Sequence, residues 1–319
     1  MSKAICVVGA GYWGTNHIKT LNQLNALKGI VEVDNNKLKF LLSAYPGIKI
    51  HSSIEDALAE DYDGFIIATP AKTHFNIAST IINARKHLLI EKPMTLSINE
   101  AEELVFLADK NNVNAMVGHV LLFHPAVKKI KKMIVDGDIG DLQYIYSNRL
   151  NLGKVRTEEN AFWSLAPHDI AIFQYLTHST PEKINAKGST FLQEGISDST
   201  LTQLEYKNGV QGHIFVSWLH PFKEHRLVVI GSEAMISFED SLNENPLKFY
   251  SKKIDIKSGI PEKIDGPVKI IEYEKRMPLE IELEYFINHL NKKKPNISNI
   301  HHGFEVVKIL VEASKQILK

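Results

Sequence analysis

The sequence predicts an α/β protein of two domains: a doubly wound parallel sheet, then an α+β domain with an open, mostly antiparallel sheet. Three observations predict it. Up to about residue 120, short apolar runs alternate with stretches of helical period. A glycine cluster follows the first of those runs directly. Past residue 120 the apolar residues switch to a two-residue alternation broken by hairpin signals.

The strand-like runs of the first part are 4–9, 29–34, 48–51, 63–69, 87–93 and 114–119. They are apolar nearly throughout, as strands are when both faces of a parallel sheet are covered. The helical patterns between them span 15–27, 36–45, 53–60, 74–86 and 99–112. Repeated β-α units of this kind wind a sheet with helices on both sides. In the second part a helix over 125–137 precedes an alternating strand at 141–152 and a helix at 168–178. Strands are expected at 183–191, 199–206, 210–220, 226–232 and 234–240, with Asn208-Gly209 supplying the positive φ angles of a tight hairpin. Helices at 278–294 and 302–319 close the chain, with NKKKPN as a solvated loop between them. A length of 319 residues suits two cores. The expected boundaries are 1–121 for the first domain and 122–319 for the second.

Composition narrows the function. The 37 basic residues balance 37 acidic ones, so no whole-molecule field draws in nucleic acid or an anionic membrane. The one cysteine, Cys6, lies in an apolar run, which excludes a disulfide framework and suits a reducing compartment. The N-terminal apolar run flows straight into glycines and does not read as a signal peptide. No apolar stretch approaches the roughly 18 residues of a membrane span. The expectation is a cytoplasmic protein.

Gly9, Gly11 and Gly14 in VVGAGYWG have the G-x-G-x-x-G spacing. They stand between a buried strand and a helix, with Asp34 ending the second strand, which is the context that gives the motif meaning. The glycines let the backbone turn tightly and approach a pyrophosphate, and the helix N-terminus offers N–H groups to the phosphates. The first domain is therefore expected to be a Rossmann domain that binds NAD. Asp34 would accept ribose hydroxyls and repel a 2′-phosphate; the plainer reading is that it caps the next helix. Tyr12 and Trp13 lie inside the motif and count among the cofactor positions. Thr69 and Pro70 of ATPAKTHF end the fourth strand where a dinucleotide lies in such sheets. His74 reads either as a cofactor contact or as a cap for the following helix.

Glu91, Lys92 and Pro93 end the fifth strand. Taken in order, GAGYWG, ATPAKTH, EKP, the HD of residues 168–169 and the late PLEIELEYF resemble the Gfo/Idh/MocA oxidoreductases over essentially the whole chain. The resemblance implies a second domain that binds substrate and oligomerises through its open sheet, and substrates among sugars, inositols and nucleotide sugars. It implies that Lys92 contacts the reacting hydroxyl. Chemistry supports that role, because a desolvated lysine sheds part of its charge and can exchange protons. Glu91 is placed beside the cofactor by the same resemblance.

Relatives often carry an Asp four residues before the catalytic-pocket His. Here the His is His168 and the position four before it is Ser164, so Lys92 and His168 are left as the proton-transfer pair, converging from the two domains. RLNLGKVRTEENAFWSLAPHDI resembles the branch that oxidises UDP-N-acetylglucosamine at C3, in preparation for a partner aminotransferase in lipopolysaccharide or lipid A biosynthesis. That resemblance places Arg149, Arg156, Asn160, Trp163 and Ser164 in a UDP-sugar pocket. An arginine can grip a diphosphate bidentately, and an indole can cover a sugar face. The plainer readings are Trp163 as core and Arg156 as a solvated loop residue. Asp169 suits the start of a helix, where it complements the dipole. His119 and His124 read as substrate contacts or as hydrogen-bonded packing residues. His301 and His302 have no cysteine or carboxylate pattern beside them, so no metal site is expected. Apolar positions such as Ile214, Val216 and Trp218, or their alternates, would remain exposed on one face of the antiparallel sheet. A homo-oligomer, a tetramer more than a dimer, is expected to cover them.

Overall fold

The computed structural model describes residues 3–242, 244, 246–290 and 294–317. The expected NKKKPN loop lies in part outside the described residues.

The first part contains β1 (Ile5–Val8), α1 (Tyr12–Gln23), β2 (Leu27–Val31), α2 (Asn35–Ala44), β3 (Lys49–His51), α3 (Ile54–Leu58) and β4 (Gly64–Ile67). It continues with α4 (His74–Asn83), β5 (His87–Glu91), α5 (Ile98–Lys110) and β6 (Ala115–Gly118). The strands form one sheet in the order β3-β2-β1-β4-β5-β6, and every pairing is parallel. β1, β4 and β6 are buried at each residue, which accounts for their unbroken apolar sequences. The strand order reverses at β1/β4, the place where such sheets take ligands. Two boundaries differ from expectation in a way that matters. α1 begins at Tyr12, so Gly14 sits in its first turn. β2 ends at Val31, so Glu32, Val33 and Asp34 form the approach to α2.

The second part contains α6 (Pro125–Val135), β7 (Leu142–Leu150), α7 (Ala161–Leu165), α8 (Pro167–Thr177), β8 (Pro181–Ser189), β9 (Ser199–Tyr206), β10 (Gln211–Ser217) and β11 (Glu224–Gly231). β12 (Met235–Glu239), β13 (Leu247–Tyr250), β14 (Lys253–Lys257), β15 (Ile260–Ile264) and β16 (Val268–Ile270) follow. The large sheet runs β16-β13-β12-β11-β7-β10-β9-β8, and β14 pairs with β15 separately. Among the described residues of this large sheet only the β7/β10 pairing is parallel. Helix α7 and strands β13 to β16 carry no signal that the sequence reading used. In the β9–β10 hairpin Gly209 alone takes a positive φ, 82°. The turn therefore combines a type I turn with a glycine bulge, and Asn208 does not share the positive φ expected of it.

Along β10, Ile214 and Val216 are buried, as is Trp218 just beyond it, while His213 and Phe215 are half-buried on the alternate side. The open face thus carries the alternates: His213 stacks on Tyr146 at 5.1 Å and Leu201 is exposed.

Two helices end the chain, α9 (Pro278–His289) and α10 (Ile300–Ile317). The expected single boundary after residue 121 gives way to a split one: Met1–Phe123 forms a compact unit with Met277–Lys308, and His124–Arg276 forms another with Ile309–Lys319. The reason is packing on the parallel sheet. α9 buries Leu283 and Phe286, and a Cβ on Gly64 would lie 2.9 Å from Leu290 and 3.1 Å from Phe286. Val117 N–H donates to the Ser298 carbonyl at 2.8 Å, and the Ser298 hydroxyl donates back to the Val117 carbonyl at 2.5 Å. The late segment completes the first unit because its apolar stripe finds its partner there.

Candidate active site

Gly9 has φ 95°, and a Cβ there would lie 2.8 Å from the Thr69 methyl. A Cβ on Gly14 would meet the Gly9 carbonyl oxygen at 1.9 Å, so α1 approaches the loop as closely as backbone permits. At Gly11, by contrast, an added Cβ meets nothing within 4 Å. The loop is tight on its inner side and open on its outer side, which leaves room for a pyrophosphate against the α1 N-terminus. Tyr12 and Trp13 follow as an exposed edge-to-face pair with centroids 6.3 Å apart.

Glu32, which sequence reasoning passed over, holds this loop. Its buried carboxylate accepts from Ala10 N–H at 2.9 Å, Val33 N–H at 2.9 Å and Asp34 N–H at 3.0 Å. A carboxylate in the apolar run GIVEVD was the available signal, because a buried charge requires partners. Asp34 is exposed and caps α2, accepting from Asn36 N–H at 2.8 Å and Lys37 N–H at 3.4 Å. Both bonds fall on Oδ1. The capping reading therefore holds in this structure, and Oδ2 is the atom through which a ribose would be met. These observations fit an adenine dinucleotide.

The loop after β4 and the turn after β5 adjoin this cradle. Pro70 is exposed and Thr69 half-buried, its hydroxyl accepting from Thr73 at 2.8 Å. His74 is the first residue of α4, is buried, and makes no side-chain cap. Its ring nitrogens lie 2.9 Å from the Pro93 and Thr69 carbonyl oxygens. Both readings offered for His74, cofactor contact and helix cap, give way to an internal tie. Burial pushes its pKa below the usual value, against the two carbonyl bonds and Glu91, which favour the charged ring.

Glu91 is also internal. Its Oε1 lies 2.7 Å from His17 Nε2 and its Oε2 accepts from Lys92 N–H at 3.1 Å. The expected cofactor contact is thus replaced by a brace for Lys92, and His17 on the apolar stripe of α1 is the partner that sequence reasoning missed. Lys92 itself is half-buried one residue past β5, and its peptide bond to Pro93 is cis. Across the β5/β6 register, where Glu91 pairs with Gly118, His119 stands next to it in order. His119 is enclosed at 1% exposure with its ring edge-on to His302, 5.6 Å between centroids. Burial, then His302 and Lys92, hold it well below the ordinary histidine pKa. As described it packs inside the unit and presents no surface to substrate. Glu282 on α9 is fully buried, and burial and then Glu91 push its carboxyl well above the usual range.

In the second unit, α7 and α8 meet at Ala166 and carry the other candidates. Asn160 caps α7, accepting from Trp163 N–H at 3.1 Å. The Trp163 indole N–H donates to Ser314 at 2.8 Å, which fixes the half-buried ring against α10. Ser164 in α7 and His168 in α8 are both half-buried, four residues apart in the sequence. Arg156 is exposed, 3.7 Å from Glu159. Arg149 is not a free pocket cation: it grips the buried Asp169 at the start of α8 with bonds of 2.7 and 3.0 Å. Asp169 thereby acts as both helix-start charge and counter-ion. His225, opposite Arg149 in register, has its pKa pushed down to about 3 by burial, then by Arg149 and Lys223. His124 caps α6 through Nδ1 and packs on Phe238 and Tyr273, which is the packing reading. Among the described residues no group of three metal-ligating side chains converges, and no helix is long and apolar enough to cross a membrane.

A parallel sheet in this order, with a glycine loop opening α1 and a carboxylate past β2, defines a dinucleotide-dependent oxidoreductase domain joined to a mixed sheet. Residues 3–119 match the family described as "Oxidoreductase family, NAD-binding Rossmann fold", and residues 127–237 match the GFO/IDH/MocA C-terminal domain. The chain belongs to the Gfo/Idh/MocA oxidoreductase family and uses NAD. It is 27% identical over 290 residues to the UDP-N-acetylglucosamine 3-dehydrogenase of Acidithiobacillus ferrooxidans, covering 91% of this chain and 89% of that one. The solved structure of a 3-dehydrogenase of that name and organism superposes with a TM-score of 0.86 at 23% identity, over 100% of this chain and 98% of the other. An inositol 2-dehydrogenase of Corynebacterium glutamicum is also 27% identical, over 66% of each chain.

Proposed function

We propose that this protein oxidises the C3 hydroxyl of UDP-N-acetylglucosamine to the 3-keto sugar nucleotide. The observation that carries the reading is the similarity to a 3-dehydrogenase of that substrate over 91% of the chain. NAD, when bound, supplies the hydride acceptor. Gly9, Gly11 and the α1 N-terminus hold its pyrophosphate, Asp34 Oδ2 takes the adenosine ribose, and Tyr12, Trp13, Thr69 and Pro70 line it. Lys92, held at its backbone by Glu91, takes the reacting oxygen, and His168 accepts the hydroxyl proton. A base within hydrogen-bond reach is required, because the alcohol loses its proton as the carbonyl forms. Ser164 is a hydrogen-bonding neighbour of His168 in place of the carboxylate that relatives carry. Arg156 takes the diphosphate, and the Trp163 ring covers a sugar face.

Inositol oxidation is disfavoured by Ser164. The corresponding C6 uronate needs a further cation, and Arg149 is already paired with Asp169. A partner aminotransferase consumes the ketone, which draws forward an oxidation that is uphill near neutral pH. The protein works in the cytoplasm as a homo-oligomer, a tetramer, assembled on the open face that carries Tyr146 and His213.

The test is NADH absorbance on a panel of UDP-sugars, their uronates and inositols, with and without a coupled aminotransferase and amino donor. UDP-N-acetylglucosamine is expected to give NADH, more of it with coupling. Turnover of a uronate or an inositol in its place would overturn the substrate. NAD binding with no turnover at all would make the protein a sensor.

A further inference from the structure

His74 is enclosed at 1% exposure, and its two ring nitrogens each lie 2.9 Å from a backbone carbonyl, Pro93 on one side and Thr69 on the other. Carbonyl oxygens only accept, so the ring donates to both only when both nitrogens carry a proton; each neutral tautomer donates to one carbonyl and lies in dipolar contact with the other. The two carbonyls belong to different loops. One precedes Pro70, on the segment assigned to the cofactor, and the other follows Lys92 directly in sequence. Few side chains could join them, because the bridge must be short, planar and polar at both ends while remaining buried. The charged group beside the ring is Glu91, itself bonded to His17 and to the Lys92 amide.

We propose that His74 is a positioning residue: one buried imidazole fastens the Thr69–Pro70 loop to the Lys92–Pro93 turn, so that the cofactor shelf and the reactive lysine are set together. The tie itself is read from the distances. What the two loops do rests on the function proposed above.

The experiment uses three variants of the full-length protein and two readouts that need no turnover. One is the dissociation constant for NAD; the other is the rate at which Lys92 reacts with an amine reagent, measured by mass spectrometry against the other lysines. His74→Phe keeps a ring and removes both polar contacts, so NAD binding weakens about 5-fold and Lys92 labelling changes by a similar factor, the scale of a lost buried hydrogen bond. His74→Asn places a donor near the Nδ1 position and spares Lys92, while weakening NAD. His74→Gln places one near Nε2 and does the reverse. If His74→Phe folds with both readouts within twofold of wild type, or with only one of them moved, the shared setting is overturned. If it does not fold, the opposite patterns in the Asn and Gln variants decide, and equal effects in both would overturn it. Should no UDP-sugar be oxidised while these shifts occur, the substrate assignment fails and the tie stands.

Discussion

Asp34 offers a test in which two roles separate. Its Oδ1 caps α2 through two backbone N–H groups, whereas the proposed ribose contact uses Oδ2. Asp34→Ala removes both roles. Loss of an N-cap costs about 1 kcal/mol, and for a chain of this size that corresponds to a melting shift of about 2 °C. Loss of charge-assisted bonds to ribose hydroxyls costs about 1.5–3 kcal/mol, or roughly 10- to 100-fold in NAD affinity. Asp34→Ser keeps an oxygen that can cap. It should restore stability to within about 0.5 kcal/mol of wild type, with NAD affinity still as low as in the Ala variant. The same change relieves repulsion of a 2′-phosphate near Lys37, so NADP should bind relatively better. Fluorescence titration with both cofactors beside thermal melts makes the comparison. An Asp34→Ser protein that binds NAD as wild type does would reduce Asp34 to a helix cap and refute the ribose contact.

Three further outcomes follow. Lys92→Ala and His168→Ala should each lower the chemical step by about 10²-fold with NAD affinity little changed; single-turnover kinetics at wild-type rate in either variant would remove that residue from the reaction. Arg149→Met leaves Asp169 buried and unpaired and should cost about 3–5 kcal/mol in urea unfolding, while adding Asp169→Leu should recover part of the loss; equal stability of the single variant and wild type would contradict the pairing. His225 stays neutral in the folded protein down to about pH 3, while the unfolded chain binds a proton near pH 6.5, so its contribution to stability is present above pH 6.5 and lost as pH falls toward 3. His225→Gln should therefore flatten the acid limb by up to about 1.4 kcal/mol per pH unit, and unchanged urea midpoints at pH 7, 5.5 and 4.5 relative to wild type would argue against it.

The parts of this molecule legible in sequence are those that local pattern dictates. Unbroken apolar runs forecast the parallel strands, and Gly9, Gly11 and Gly14 forecast a turn that the structure requires of glycine at positions 9 and 14. Partners that lie far apart in sequence are not legible in this way. Arg149 looked available because Asp169 lies 20 positions away, and Glu91 looked like a cofactor contact because His17 lies 74 positions away. His74 followed the same pattern, since only the fold brings two carbonyls to its ring. The placement of α9 was hidden for another reason. Its amphipathic stripe says that it packs, without saying on which sheet.

The central claim is that hydride leaves C3 of UDP-N-acetylglucosamine. The direct measurement uses substrate deuterated at C3, NAD and the coupled aminotransferase, with the label followed by mass spectrometry in the reduced cofactor and the sugar. The account predicts deuterium in NADH and, after transamination of the 3-keto product, a 3-amino sugar nucleotide that is free of deuterium and about one mass unit lighter than the unlabelled substrate. Deuterium retained in the oxidised sugar would contradict it.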